Sequence, residues 1–495
     1  MSDVCLILEG TYPYVAGGVS TCVYQLIKET PHIKYSILYI GATRDSQKEY
    51  KYPIPENVRL IKECYLFDYN LKGKTKELGI DFDFKKLMKF HAGLKTGDVS
   101  QFKEFYSTFF DPDKRICDPM DLMESKEAWD FLVKYYEMQF KGNSGISFID
   151  YFYSWRFTHY PMFKILSADI PRAHLYHSLC TGYAGLLGAA ASVKYKRPFI
   201  LTEHGIYSHE REIEIYQADW IYNTDKDYRA KKNLSYFKEW WIKIFHFFSK
   251  VSYDRADVIT TLYNGNKEKQ IAYGADEEKI ELIPNGIRLE DFAELAANKV
   301  SNEKLAIALI GRVVPIKDIK TFIKSIAFVK NQVEEFVVYI MGPTDEDEDY
   351  YEDCKRLVSL LGLEEYIVFT GRVDIKEYFS KIDLLVLSSI SEGQPMVILE
   401  GYAAKIPTVT TDVGGCNELI NGSTKKDIEL GPGGLVVPFG KPEELGKAIS
   451  QLLNNSEERL QMGENGYQRV KEYYQENMTV TNYMNVYNRY LSSSM

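Results

Sequence analysis

The stretch SEGQPMVILEG, Ser391–Gly401, sets Glu392 and Glu400 eight positions apart. Glu392 follows the apolar run DLLVLSS (383–389), and Glu400 falls about one turn into the helical pattern MVILEGYAAK, where Pro395 suits the first turn. Two carboxylates placed this way could accept paired hydrogen bonds from the hydroxyls of a sugar or could cap the helix. They could also form the acid/base pair of a glycosidase, which needs a defined separation that a sequence does not give. Gly393 and the backbone N–H groups of Met396 and Val397 could hold a phosphate at the same helix end.

A second constellation is GRVVPIKD, residues 311–318. Arg312 lies just beyond the apolar run LAIALIG, and Lys317 stands at the start of the helical pattern DIKTFIKSIAFV. Two cations beside a helix N-terminus suit a diphosphate, because the helix end adds N–H donors and a positive dipole. The competing reading is a surface salt bridge to Asp318 or a neighbour. AGGVS (16–20) ends the first apolar run and opens a helix, so Gly17 and Gly18 let backbone approach a ligand. This Gly-Gly is neither GxGxxG nor a P-loop. TEHG (202–205) puts His204 at a strand end, His177 is placed similarly in HLYHS, and SHERE (208–212) supplies Arg211. A structural histidine and a solvated loop are the plain alternatives there.

These residues sit on strand ends that recur along the chain. VCLIL (4–8), KYSILYIG (34–41), VRLI (58–61), HLYHS (174–178), PFILTEHG (198–205) and DVITTLY (257–263) are apolar runs separated by helical patterns. That rhythm predicts a parallel α/β sheet. Residues 68–165, rich in Phe, Tyr, Lys and Asp, interrupt it and read as a helical insertion. The aromatic stretch SYFKEWWIKIFHFFSKV (235–251) reads as a core helix, with a membrane-surface helix as the alternative. A second alternating set has strands at LAIALIG (305–311), FVVYIMG (336–342), YIVFTG (366–371), DLLVLSS and TVTTDV (408–413). The expected fold is therefore two doubly wound, Rossmann-like domains facing across a cleft, with ligands at the carboxyl ends of the strands. The domains are placed at 1–295 and 296–472, with 473–495 a helix crossing back to the first.

Composition narrows the function. The chain has 495 residues, 45% of them hydrophobic, and a formal net charge of -10, which argues against nucleic acid as a partner. Its seven dispersed cysteines read as reduced thiols of a cytoplasmic protein, and its eight histidines show no metal-binding spacing. MSDVCLILEG lacks the basic start of a signal peptide, and no run reaches the ~18 apolar residues of a membrane span.

Taken in order, GGVS, TEHG, PNGI, GR-x4-K and E-x7-E resemble the family-four glycosyltransferases, which have the GT-B fold. The likeness is strongest in 305–420, through IGRVVPIKDIKTFIKSI and SEGQPMVILEGYAAKIPTVTTDVGGCNELI. LILEGTYPYVAGGVS, LTEHGIYSHEREIEIY and the insertion resemble a narrower group, the PelF-like enzymes of Pel exopolysaccharide synthesis. The resemblance implies a retaining, metal-independent transfer from a UDP-sugar, with UDP-glucose the expected donor, no further cofactor, and a growing polysaccharide as acceptor. It also implies inner-membrane polysaccharide synthase subunits as partners, which would recruit the protein to the membrane. By resemblance Arg312 and Lys317 hold the diphosphate, Gly17 and Gly18 approach it, and Glu392 and Glu400 contact sugar and ribose hydroxyls. His204 faces the reaction centre, Arg372 and Val373 line the base, and Asn285 is an interdomain residue. Ala16 stands where starch- and glycogen-synthase relatives carry lysine, which argues against glycogen synthesis. A non-catalytic nucleotide-sugar-binding subunit is the alternative to an enzyme.

Overall fold

The structure, a computed structural model, describes the chain except residues 45–48, 70–76, 80–83, 141–145, 218–235, 298–303 and 493–495. It divides into two units. The first comprises Met1–Thr261, Lys267–Glu281 and Met484–Met495; the second comprises Leu262–Asn266 and Leu282–Tyr483. The sequence places the boundary in the polar stretch near 290–303, of which 298–303 lie outside the described residues; the described part, 290–297, lies in the second unit.

The first unit is built on strands β1 (Ser2–Glu9), β2 (Tyr35–Gly41), β3 (Val58–Tyr65), β4 (Ala173–Ser178), β5 (Phe199–Glu203), β6 (Val258–Thr261) and β7 (Ile280–Leu282). Their order is β3-β2-β1-β4-β5-β6-β7, and β1 runs parallel to both neighbours. β2 is buried along its whole length, which is why it reads as an unbroken apolar run. Between β3 and β4 the chain forms helices Phe84–Thr96, Phe102–Phe109, Pro119–Met123, Lys126–Phe140 and Phe148–Leu166, the insertion expected at 68–165. Their aromatic side chains, among them Phe90, Phe105, Phe131 and Trp155, share one core with sheet residues such as Leu38 and Cys64. The aromatic stretch after it forms the helix Tyr236–Arg255, whose Phe237, Ile244, Phe247, Phe248 and Val251 are buried in that core. It is a core helix.

The second unit holds β8 (Leu305–Ile310), β9 (Phe336–Met341), β10 (Ile367–Gly371), β11 (Leu384–Leu387), β12 (Thr408–Thr411) and β13 (Gly434–Val437). Their order is β10-β9-β8-β11-β12-β13, and every pairing is parallel. Side chains alternate across this sheet. Leu384 and Val386 enter one apolar core, and Leu385 and Leu387 enter the other. Burying each such side chain is worth roughly 1.5–3 kcal/mol. β13 is a strand the sequence reading omits, because four residues flanked by Gly431, Pro432 and Gly433 resemble a turn.

The helix Ile319–Val329 follows β8. Ile319, Phe322, Ile323, Ile326 and Val329 recur at helical spacing and are buried. The last helix, Glu476–Leu491, begins in the second unit and ends in the first. There Tyr487 OH lies 2.7 Å from Nδ1 of His177 on β4.

Candidate functional site

In the second sheet the chain order reverses between β8 and β11, where strand-end loops leave room for a ligand. The sequence-selected residues of this unit lie on loops and a helix at the carboxyl ends of its strands, at that point and beyond it. Arg312 and Lys317 follow β8, Arg372 and Val373 follow β10, and Glu392 and Gly393 follow β11. Met396, Val397 and Glu400 lie on the helix Met396–Ala403, and Val373, Met396 and Val397 pack against one apolar core. Gly17 and Gly18 follow β1, and His204 follows β5, at the carboxyl end of the first sheet.

Lys317 lies in a single 3-10 turn, Pro315–Lys317, and its Nζ donates to Glu392 Oε1 at 2.5 Å. Ser389 Oγ donates to the same oxygen at 2.5 Å. Ser388 Oγ donates to the Lys317 carbonyl at 2.8 Å, and Ile390 N–H donates to the Ile316 carbonyl at 2.9 Å. The two loops are thus clamped through backbone and side chain together. The pair is partly buried, Lys317 23% and Glu392 11% exposed. Arg312 instead pairs with Glu346 at 2.8 Å, with exposures of 55% and 42%. An ion pair that open to water is worth about 0–1 kcal/mol and exchanges partners readily.

The structure corrects one expectation about the helix after Lys317. That helix begins at Ile319, and the Asp318 side chain accepts from Thr321 N–H at 3.2 Å. One of its free donors is therefore already taken by its own cap. The helix Met396–Ala403 differs: its N-cap is Pro395 and no side chain caps it, so the Met396 and Val397 end can take an anion. Glu400 is the fifth residue of this helix. Burial pushes its carboxyl up, against the opposing pull of Lys376.

Two glycines hold the loops together. A Cβ on Gly414, which has φ +57°, would lie 2.0 Å from the Glu392 carbonyl oxygen. Gly415 N–H donates to the Gly393 carbonyl at 2.7 Å, so β12's exit loop braces the Glu392 turn. Gly17 is the reverse case. Its φ of 164° is ordinary extended backbone, and a Cβ on Gly17 or Gly18 would meet no described atom within 4 Å. Neither packing nor conformation demands glycine there, and the Gly17 N–H lies 3.3 Å from the Tyr52 hydroxyl while its carbonyl accepts from Thr21 N–H at 2.9 Å.

In the first unit, burial pushes the His204 imidazole down to about 4 and that of His177 to about 3, so both are neutral at pH 7. His177 is tied by Nε2 to Thr202 Oγ1 at 2.8 Å and by Nδ1 to Tyr487, a structural role. Arg211 pairs with Glu214 at 2.8 Å. Asn285 N–H donates to Gln394 Oε1 at 2.7 Å, linking PNGI to the SEGQP turn inside the second unit.

Sequence reading passes over several residues that shape these sites. Glu203 is fully buried beside His204; its carboxylate accepts from Thr181 Oγ1 (2.9 Å), Tyr253 OH (2.6 Å) and Gln270 Nε2 (3.0 Å). Glu9, at the end of β1, accepts from Ala184 N–H at 3.1 Å and Tyr207 OH at 2.6 Å, and so fills the N-terminus of the helix Tyr183–Tyr195. A charged residue ending an apolar strand was the available signal in both.

Comparison with known proteins agrees with this architecture. Residues 291–469 match the family described as Glycosyl transferases group 1. Among solved structures, Anabaena HepE in complex with UDP and glucose aligns with a TM-score of 0.57 at 13% identity, over 98% of this chain and 99% of that one. Sucrose-phosphate synthase of Thermosynechococcus elongatus aligns with a TM-score of 0.59 at 16% identity, over 99% of both chains. The fold is that of the GT-B glycosyltransferases. Residues 2–278 match a second model, and the chain belongs to its family, described as Domain of unknown function (DUF3492). An uncharacterized glycosyltransferase of Methanocaldococcus jannaschii is 24% identical over 270 residues, 52% of this chain and 64% of that protein. The capsular polysaccharide biosynthesis glycosyltransferase CapM of Staphylococcus aureus is 25% identical over 232 residues, 44% of this chain and 58% of CapM. The matches thus span less than two thirds of these relatives' lengths.

Proposed function

We propose that this protein is a retaining glycosyltransferase that moves a sugar from a nucleoside-diphosphate sugar to a saccharide acceptor. The observation that carries this reading is the arrangement at the exit of β8 and β11. A lysine and a glutamate from different loops meet beside an uncapped helix N-terminus, with an exchangeable arginine on the same sheet edge. Departure of a nucleoside diphosphate builds negative charge, and fixed cations and helix dipoles lower the barrier where that charge appears. Arg312, Lys317 and the Met396–Val397 end supply that charge, so the reading needs no metal.

On this reading the diphosphate takes Lys317 as a partner, which frees an oxygen of Glu392 for a sugar hydroxyl. Glu400 accepts from the ribose, Arg372 and Val373 line the base, and His204 faces the sugar as a neutral donor or acceptor. Retention follows if the leaving phosphate oxygen takes the proton of the incoming hydroxyl on the same face. UDP-glucose is the preferred donor, supported by the sequence resemblance and by a fold shared with HepE, whose structure holds UDP and glucose. A growing exopolysaccharide of the Pel type is the preferred acceptor, in line with CapM's part in capsular polysaccharide synthesis. In this picture the protein is cytoplasmic and inner-membrane synthase subunits recruit it. Among the described residues no helix is long and apolar enough to cross a membrane.

The test is thermal stabilisation across nucleotides, since a ligand bound only by the folded state raises Tm. UDP and UDP-glucose are expected to raise it, and ADP, GDP and NAD to raise it much less; equal shifts defeat the base assignment. With acceptor and partners present, Lys317→Ala is expected to lower donor turnover about 100-fold or more, as removal of one transition-state donor does. Turnover equal to wild type would leave only a binding subunit.

A further inference from the structure

Where edge strand β3 meets the insertion, the first unit contains a cavity of about 460 Å³. Its size falls within the roughly 300–1,000 Å³ of small-ligand sites. The floor is the β3 segment Lys62–Tyr65, and the walls come from the exit of β2, the short helix Pro119–Met123 and the end of the helix Phe148–Leu166.

The charges in it are not evenly spent. Arg44 pairs with Asp68 at 3.3 Å, Lys62 with Asp169 at 2.5 Å, and Arg115 with Asp118 at 3.4 Å. Glu63 is committed to the hydroxyls of Tyr14 and Tyr65. Lys164, which also lines the cavity, is half-buried and has no carboxylate partner among the described residues. The lining's formal charges balance, with Glu63 held by tyrosine hydroxyls, so Lys164 is the lining cation whose ammonium can meet an anion without breaking an existing ion pair among the described residues. The paired groups keep spare capacity: arginine has five N–H donors and a carboxylate about four acceptor sites. Exposed pairs this weak can share their hydrogen bonds with hydroxyls at little cost.

We propose that this cavity binds a saccharide carrying one anionic group, a carboxylate or a phosphate, with Lys164 as its counter-cation and the flanking ion pairs as hydroxyl partners. The proposal does not depend on the reading of the donor residues.

The test uses the full chain and saturation-transfer NMR with glucuronate, glucose 6-phosphate and glucose. At least one anionic sugar is expected to bind about tenfold more tightly than glucose, the worth of one charge-assisted hydrogen bond. The tighter of the two names the anion. Lys164→Gln is expected to erase that preference, and Ala168→Phe, which fills the cavity, to abolish binding. In both variants the UDP-induced Tm shift is expected to equal that of wild type, which shows a folded protein and tests the donor site on its own. Equal binding of all three sugars, binding of none, or anion binding that survives Ala168→Phe overturns the proposal.

Discussion

Lys317 and Glu392 meet although 75 positions separate them. Each was legible as a strand-end charge, but their mutual contact was not, because nothing in a sequence says which loops a parallel sheet brings side by side. The same holds for Arg312 and Glu346, and for Glu9 and Ala184, 175 positions apart. A buried ion pair shows a different consequence of residue chemistry. Arg469 is fully buried and donates to Asp427 Oδ1 at 2.6 Å, and to the carbonyls of Ile420, Asp427 and Gly431 at 2.7–3.0 Å. Removing the cation leaves a buried carboxylate and orphaned carbonyls. Arg469→Met is therefore expected to cost about 3–5 kcal/mol, read as a lower urea midpoint. A midpoint within error of wild type would show that the pair is not needed.

Elements were the most legible scale. β1 to β6 and β8 to β12 stand at apolar runs visible in the sequence, and the insertion's helices stand where the β rhythm stops. β7 and β13 escaped: they are three and four residues long, β7 runs on into IPNG and β13 is bracketed by turn formers. The cap at Asp318 escaped because the helical pattern is begun at that residue, although Asp before an apolar-periodic run is an N-cap signal. Two outcomes belong to this scale. Gly414→Ala adds a Cβ 2.0 Å from the Glu392 carbonyl at a positive φ, a strain of about 1–3 kcal/mol. If Glu392 contacts the donor, the displaced turn raises the donor KM with a small change in Tm. An unchanged KM removes the β12 brace from the site. The insertion carries the second. His91 and His159 stack at 4.9 Å in its core, each 1% exposed or less, and His91 Nδ1 and Nε2 and His159 Nε2 have no hydrogen-bond partner among the described residues. Burial pushes His159 down to about 3 and His91 well below its usual value of 6.5. The unfolded chain therefore binds more protons than the folded one below pH 6.5. Stability is expected to be full above that pH and to fall as pH drops towards about 3, by up to about 1.4 kcal/mol per pH unit for each histidine. His91→Phe should flatten the profile of unfolding midpoint against pH, and identical profiles would exclude His91 as a source.

At the level of the whole molecule, the sequence carried two α/β sets and a returning C-terminal segment, while the path of that segment between units needed coordinates. Its last turns contribute Tyr487, fully buried against His177, and Arg489, which reaches both oxygens of Glu281 at 2.6 Å on the surface. Burial decides their relative worth. Tyr487→Ala is expected to lower Tm by several degrees through loss of a buried ring, about 3–5 kcal/mol. Arg489→Ala should cost about 1 kcal/mol or less despite making two short bonds. A reversed ranking in a thermal melt would mean that the tail is held from outside.

Tyr487 also sets an order of events during synthesis. β4 leaves the ribosome before any strand of the second sheet, yet its His177 gains the Tyr487 hydrogen bond only when the helix Glu476–Leu491 emerges. The nascent amino-terminal half therefore waits through translation of the entire second sheet, as a segment whose last clasp is still to be made.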